Sequence, residues 1–166
     1  MNYTIEKMIP SHWKQVYKIY YDGIMTGKAT FQTQTPTWEE WDRGHLKECR
    51  YVATIGETVI GWVALSPTSA RACYAGVVEV SIYIGNEYKG LGIGTALLNQ
   101  VIEASEKQSI WSLYCAIIEE NVESIALHKK CGFREIGYRE KIAQMSNGVW
   151  HDVVLMERRS LVVGRN

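Results

Sequence analysis

Apolar and polar residues alternate strictly over Glu79–Ile84, with Val80, Ile82 and Ile84 on one face and Glu79, Ser81 and Tyr83 on the other. Period two, rich in β-branched residues and tyrosine, predicts a strand. Gly85-Asn86-Glu87 breaks it, and Lys89-Gly90-Leu91-Gly92-Ile93-Gly94 follows. From Thr95 the period changes, because Leu97, Leu98, Val101 and Ile102 fall at helical spacing. A strand thus feeds a glycine-rich turn that opens a helix.

The rest of the chain patterns around that unit. Tyr3 to Met8 alternates as a first strand. Pro10-Ser11 offers a helix start, and Val16, Tyr17, Ile19, Tyr20 and Ile24 mark a helix ending near Gly27. Residues 30–36 have no period and predict a loop. Thr37-x-x-Glu40 is a capping-box pattern that opens a short helix carrying Trp38 and Trp41. Tyr51 to Ile55 and Thr58 to Leu65, joined by Gly56-Glu57, predict a hairpin, and Pro67 to Gly76 a loop. Ile110 to Ile118 is apolar on both sides and reads as a buried strand. Asn121-x-x-Ser124 opens a helix with Ile125 and His128 on one side, closing at Cys131-Gly132. Phe133 to Lys141 and Val149 to Glu157 flank the turn signal Asn147-Gly148. The order βααβββαβαββ predicts one α/β domain over residues 1–166.

Composition narrows the function. Eighteen basic residues balance eighteen acidic ones with no long run of one sign. That argues against a nucleic-acid binder working by phosphate neutralisation and against a polybasic membrane anchor. No apolar run reaches membrane-spanning length and no secretory pattern opens the chain, so the expectation is a cytoplasmic protein. Cys49, Cys73, Cys115 and Cys131 form no C-x-x-C pair, which predicts free thiols and no metal site.

The glycine-rich turn suggests an anion cradle. The first N–H groups of a helix lack partners within it, and glycines let a phosphate approach the backbone closely. Glycines at 90, 92 and 94 fit neither the P-loop, which needs a following Lys-Ser or Lys-Thr, nor the dinucleotide G-x-G-x-x-G.

The pattern [Q/R/K]-G-x-G-x-G resembles the pyrophosphate loop of the GNAT superfamily of N-acetyltransferases. Asn121-x-x-Ser124-Ile125-x-Leu127-His128, ending in Gly132-Phe133, strengthens the resemblance. Thr30-Phe31 before Trp38-Glu39-Glu40-Trp41, Arg71-x-x-Tyr74, Glu79-x-Ser81-Ile82-Tyr83-Ile84 and Gly148-x-Trp150-x-Asp152 resemble its phosphinothricin and methionine-sulfoximine acetyltransferase branch. The resemblance implies a mostly antiparallel mixed sheet flanked by helices, acetyl-CoA as co-substrate and a homodimer. It implies that the backbone of Ile82, Tyr83 and Ile84 pairs with the pantetheine arm. Lys89, Gly90, Leu91, Gly92, Ile93, Gly94 and Thr95 would hold the pyrophosphate, and Asn121 and Ser124 would stand near the same cofactor. Two departures stand out. Lys89 occupies a position usually held by Gln or Arg, and Ala143 to Asn147 replaces a lysine-rich segment.

Acetyl transfer to an amine needs a base for the amine and a proton for the leaving thiolate. Glu79 is the candidate base; its structural alternative is a carboxylate paired with Arg71 or a lysine. His128 is the candidate acid toward the coenzyme sulfur or a second relay, and otherwise a packing residue. A backbone N–H near Ile82 or Tyr83 would stabilise the oxyanion. Cys115, inside an apolar strand, reads as an inert thiol. For a small amino-acid-like acceptor, Arg71 would take the carboxylate, with Tyr74, Phe31 and Trp150 as walls. A polyamine or protein N-terminus is the alternative acceptor, and a non-catalytic acyl-CoA-binding regulatory module the alternative class.

Overall fold

The computed structural model describes residues Met1–Asn166. It contains strands β1 (Thr4–Lys7), β2 (Tyr51–Ile55), β3 (Thr58–Pro67), β4 (Val77–Ile84), β5 (Ser112–Ile118), β6 (Arg134–Gln144) and β7 (Trp150–Arg159). Helices α1 (Trp13–Met25), α2 (Trp38–Gly44), α3 (Ile93–Lys107) and α4 (Val122–Lys130) complete it. The order is the one the periodicities predict. Three short 3₁₀ turns, at Pro10–His12, Ala72–Tyr74 and Asn86–Tyr88, add to it.

The strands form one sheet in the order β1-β2-β3-β4-β5-β7-β6. Every pairing is antiparallel except β4 with β5. Alternation decides what covers each face. Val78 and Val80 of β4 and Val63 and Leu65 of β3 join Leu97, Leu98 and Val101 of α3 in one core. Trp62 and Ala64 of β3 join Val16, Ile19 and Tyr20 of α1 and Trp41 of α2 in the other. Trp41 is 1% exposed inside this second core, and Trp38 packs against it partly buried.

Glycines permit two close approaches around β4. A side chain at Gly23 of α1 would meet the Tyr83 ring at 2.7 Å, and one at Gly61 would meet Ile84 at 2.8 Å. The β2–β3 register slips between Ala53 and Thr54, which leaves Ile60 as the extra residue of a bulge just before Gly61. Tyr83 is thus seated against α1, with its ring stacked on Trp62 at 5.0 Å.

The feature that makes the site is a split in the sheet. The parallel pairing of β4 with β5 lasts only from Val77↔Ser112 to Glu79↔Tyr114. Beyond it β4 stays with β3 as far as Gly61↔Ile84, and β5 stays with β7 as far as Ile118↔Val153. Each strand keeps its outer partner, so the two inner edges part immediately after Glu79.

Candidate active site

The split opens into a cavity of about 680 Å³. Val80, Ser81, Ile82 and Tyr83 of β4 line one wall, and Cys115, Ala116, Ile117 and Ile118 of β5 face them. Asn121, Ser124 and His128 enter from α4, Tyr20 from α1, and Trp41, Gly44 and His45 from α2 and its end. Thr30, Phe31, Gln32 and Pro36 of the α1–α2 loop close the remaining side. A neighbouring cavity of about 460 Å³, with Lys28, Glu120 and His151 in its lining, shares Thr30 and Gln32 with the first.

Glu79 stands at the vertex. Its side chain makes no hydrogen bond or ion pair, so neither Arg71 nor a lysine neutralises it. Burial raises its pKa above the ordinary carboxylate value. A half-buried carboxylate facing open space, with no cation beside it, has the environment of a general base.

His128 is 2% exposed, with its ring edge-on to Phe133 at 4.9 Å. Its Nδ1 lies 2.7 Å from the carbonyl oxygen of Ser124. A carbonyl only accepts, so Nδ1 carries the proton and Nε2 presents a bare lone pair. That Nε2 is buried without a partner. Burial lowers the histidine's pKa, outweighing the Ser124 carbonyl, so the ring is neutral at neutral pH. At rest His128 accepts protons; it donates to a leaving group only after it has taken one.

The glycine loop takes the form the anion-cradle reading requires. Gly90 and Gly92 have φ of 76° and 82°, in the left-handed region open to glycine without strain. Gly92 is the N-cap of α3 and supplies no side chain to it. The N–H groups of residues 90–95 donate to no acceptor in the chain, the first such bond being Ala96 N–H to Gly92 O at 3.1 Å. Six consecutive free donors at a helix N-terminus form a concave anion site. Gly94 has a different task, because a side chain there would meet Leu127 of α4 at 3.0 Å. Asn121 caps α4, its Oδ1 accepting from Ser124 N–H at 3.3 Å. The free inner edge of β4 and this loop together fit an extended pantetheine arm and a pyrophosphate.

Three of the residues predicted for the acceptor are not brought to the cavity. Arg71 precedes the Ala72–Tyr74 turn and lays its guanidinium over its own Tyr74 ring, 5.4 Å away, so it stays on the β3–β4 loop. Tyr74 is 45% exposed, and Trp150, at the start of β7, is 53% exposed. Phe31 does line the cavity, edge-on to His151 at 6.1 Å. No lysine or arginine lines it. His45 and Ser66 are additions whose spacing nothing marks, and Tyr20, marked by helical period as a core position, reaches the cavity as well. Cys115 lines the wall as a free thiol, pushed up to about 12 by burial and by the Glu79 charge, which makes it a poor nucleophile.

Residues 13–133 match the Acetyltransferase (GNAT) family. The phosphinothricin N-acetyltransferase of Streptomyces viridochromogenes is 31% identical over 140 residues, covering 81% of this chain and 75% of that protein. The L-methionine sulfoximine/L-methionine sulfone acetyltransferase of Pseudomonas aeruginosa is 30% identical over 99 residues, 60% of this chain and 57% of that one. A GNAT superfamily phosphinothricin acetyltransferase from Sinorhizobium meliloti, solved in complex with acetyl-CoA, superposes with a TM-score of 0.84. It is 25% identical, over 99% of this chain and 97% of that chain. With a split sheet, an unpaired carboxylate at its vertex and a glycine cradle at the head of α3, the chain belongs to the GNAT family and is an acetyl-CoA-dependent N-acetyltransferase.

Proposed function

We propose that the chain transfers an acetyl group directly, in a ternary complex, to the α-amino group of a small amino-acid-like acceptor of the phosphinothricin, methionine sulfoximine or methionine sulfone type. The observation that carries this reading is Glu79, unpaired and facing the cavity where β4 and β5 part. Acetyl-CoA supplies the activated thioester. The free N–H groups of residues 90–95 hold its pyrophosphate, and the inner edge of Ile82, Tyr83 and Ile84 aligns the arm. A β4 backbone N–H polarises the carbonyl, and Glu79 takes a proton from the attacking nitrogen. His128 collects a proton on Nε2 and returns it to the sulfur. The raised pKa of Cys115 supports direct transfer over an acyl-cysteine route.

One observation favours a second acceptor class. An amino acid brings a carboxylate, yet the cavity lining holds Glu40 and Glu79 and no cation. A polyamine or a peptide N-terminus needs none. A homodimer belongs to the same proposal, resting on the exposed Ile136, Tyr138 and Ile142 of β6 and on Trp150.

Thiol release from acetyl-CoA, followed with methionine sulfoximine, phosphinothricin, ordinary amino acids, spermidine and short peptides, tests the reading. Turnover confined to the sulfoximine or phosphinothricin compounds supports it. Turnover with spermidine or peptides alone transfers it to the second class. No release with any amine overturns both.

A further inference from the structure

His45 is a titratable residue of the cavity lining that takes no part in acetyl transfer by Glu79 and His128. It lies at the end of α2, where its Nδ1 is 2.7 Å from the carbonyl oxygen of Trp41. The carbonyl can only accept, so Nδ1 carries the proton and the lone pair sits on Nε2. The ring stacks on Trp41 at 4.2 Å with 20° between the planes, which sets its orientation. No protein group is hydrogen-bonded to Nε2, and the residue lines the cavity.

Backbone register puts this imidazole at the Glu79 end. Leu46 N–H donates to Leu65 O at 2.8 Å, and the residue after Leu65, Ser66, pairs with Glu79. Ser66 and Glu79 share the sheet face that α1 and α2 cover, the face of Ala64 and Trp62. No hydrogen bond joins His45 to Glu79, so they address the same space from two sides. His128 repeats the arrangement across the cavity, with its own Nδ1 held by the carbonyl four residues earlier.

Proton accounting gives such a residue work. The acceptor arrives as R–NH3⁺, and the balanced reaction is R–NH3⁺ + CH3CO–S–CoA → R–NH–COCH3 + HS–CoA + H⁺. Two protons leave the nitrogen. One ends on the thiol sulfur and the other must reach solvent before attack, because an ammonium nitrogen has no lone pair with which to form the C–N bond. Glu79 serves during attack. We propose that His45 Nε2 takes the first proton, converting the bound ammonium to the nucleophilic amine and releasing that proton at the acceptor side of the cavity. The inference rests on the N-acetyl-transfer reading and deepens it.

The surroundings suit the task. Burial lowers the pKa of His45 below its ordinary value, which keeps Nε2 bare at neutral pH. Arg50 adds to that lowering and Asp42 opposes it, while the two are themselves paired at 2.6 Å. Glu40 from α2 and Glu79 from β4 are the carboxylates of the same lining.

The test compares wild type with His45→Phe, which keeps a ring for the Trp41 stack, and His45→Gln, which offers an oxygen acceptor without the titration. Thiol release would be followed from pH 6 to 10 with methionine sulfoximine and with spermidine. We expect kcat/KM of His45→Phe to fall by about 10²-fold at neutral pH. The deficit closes as pH passes the acceptor's own amine pKa, where the substrate arrives neutral, and acetyl-CoA affinity does not change. A deficit equal at every pH, or no deficit, overturns the proposal. A wild type that turns over neither amine counts against the acetyl-transfer reading instead. Independently of turnover, the ¹⁵N shifts of the His45 ring in the wild-type protein at pH 7 report the tautomer. Nδ1 protonated with Nε2 bare is required; the reverse tautomer or a standing imidazolium overturns the inference even if both variants misfold.

Discussion

The cofactor half and the acceptor half of the cavity are built by different means. The cofactor half is backbone: six free N–H groups at the head of α3 and one unpaired strand edge. Backbone recognition requires glycines and a strand end but few particular side chains. The acceptor half is side chain: Tyr20, Phe31, Trp41, His45, Glu79 and His128, drawn from one strand, three helices and a loop. On the proposed reading the first half holds the coenzyme, and the second selects what is acetylated. The difference teaches where to look for specificity, because substitutions in the side-chain half change the acceptor while leaving the cradle whole.

Glu79→Gln breaks the comparison most sharply. We expect kcat/KM to fall by about 10²–10³-fold, with acetyl-CoA binding within about twofold, as titration calorimetry and thiol release together would report. The sign of its stability effect is opposite. The folded-state pKa of Glu79 is raised by burial, so ionisation costs more in the folded than in the unfolded protein. That penalty is absent below the unfolded-state value, grows through the window up to the folded-state pKa and is complete above it. Glu79→Gln should therefore unfold at a higher temperature than wild type at neutral pH. The gain should vanish as pH falls through that window, which calorimetric scans would follow.

Gly92→Val probes the other half. A β-branched residue held at a φ of 82° costs about 1–3 kcal/mol, and at this position it also displaces the donors that face the anion. Acetyl-CoA affinity should fall by about tenfold or more, while a fixed acceptor preference across the amine panel shows that the acceptor half is untouched. A change of preference would contradict the division.

The smallest effect is expected at Cys115→Ala. Removing a buried sulfur from β5 costs stability, but kcat should stay within about twofold because the thiol is no nucleophile at its raised pKa. An acetylated wild-type protein detected by mass after rapid quench, and lost in the variant, would overturn direct transfer.

Legibility followed the same division. The strand over 79–84, the glycine turn and the helix read from Thr95, which begins at Ile93, were readable because strand alternation, glycine spacing and helical period leave marks within a few residues of each other. The capping box at Thr37 and the Asn121 cap were readable for the same reason. The acceptor half was readable only in part. Arg71 and Tyr74 carry plausible chemistry but pair with each other on their loop, a local contact that spacing could not rank against a distant one. His45 carries no motif; its ring is held by Trp41, and the Leu46–Leu65 hydrogen bond sets it beside the sheet.

By itself the sequence determined the elements, their order and the anion cradle, since each depends on contacts between near neighbours in the chain. The tertiary structure alone decided that β4 and β5 part after Glu79, that Glu79 stays unpaired, and that His45 and His128 line one cavity with it. Those properties arise where residues distant in sequence compete for the same partners, and that competition is settled only when the sheet has closed and the helices have covered its faces.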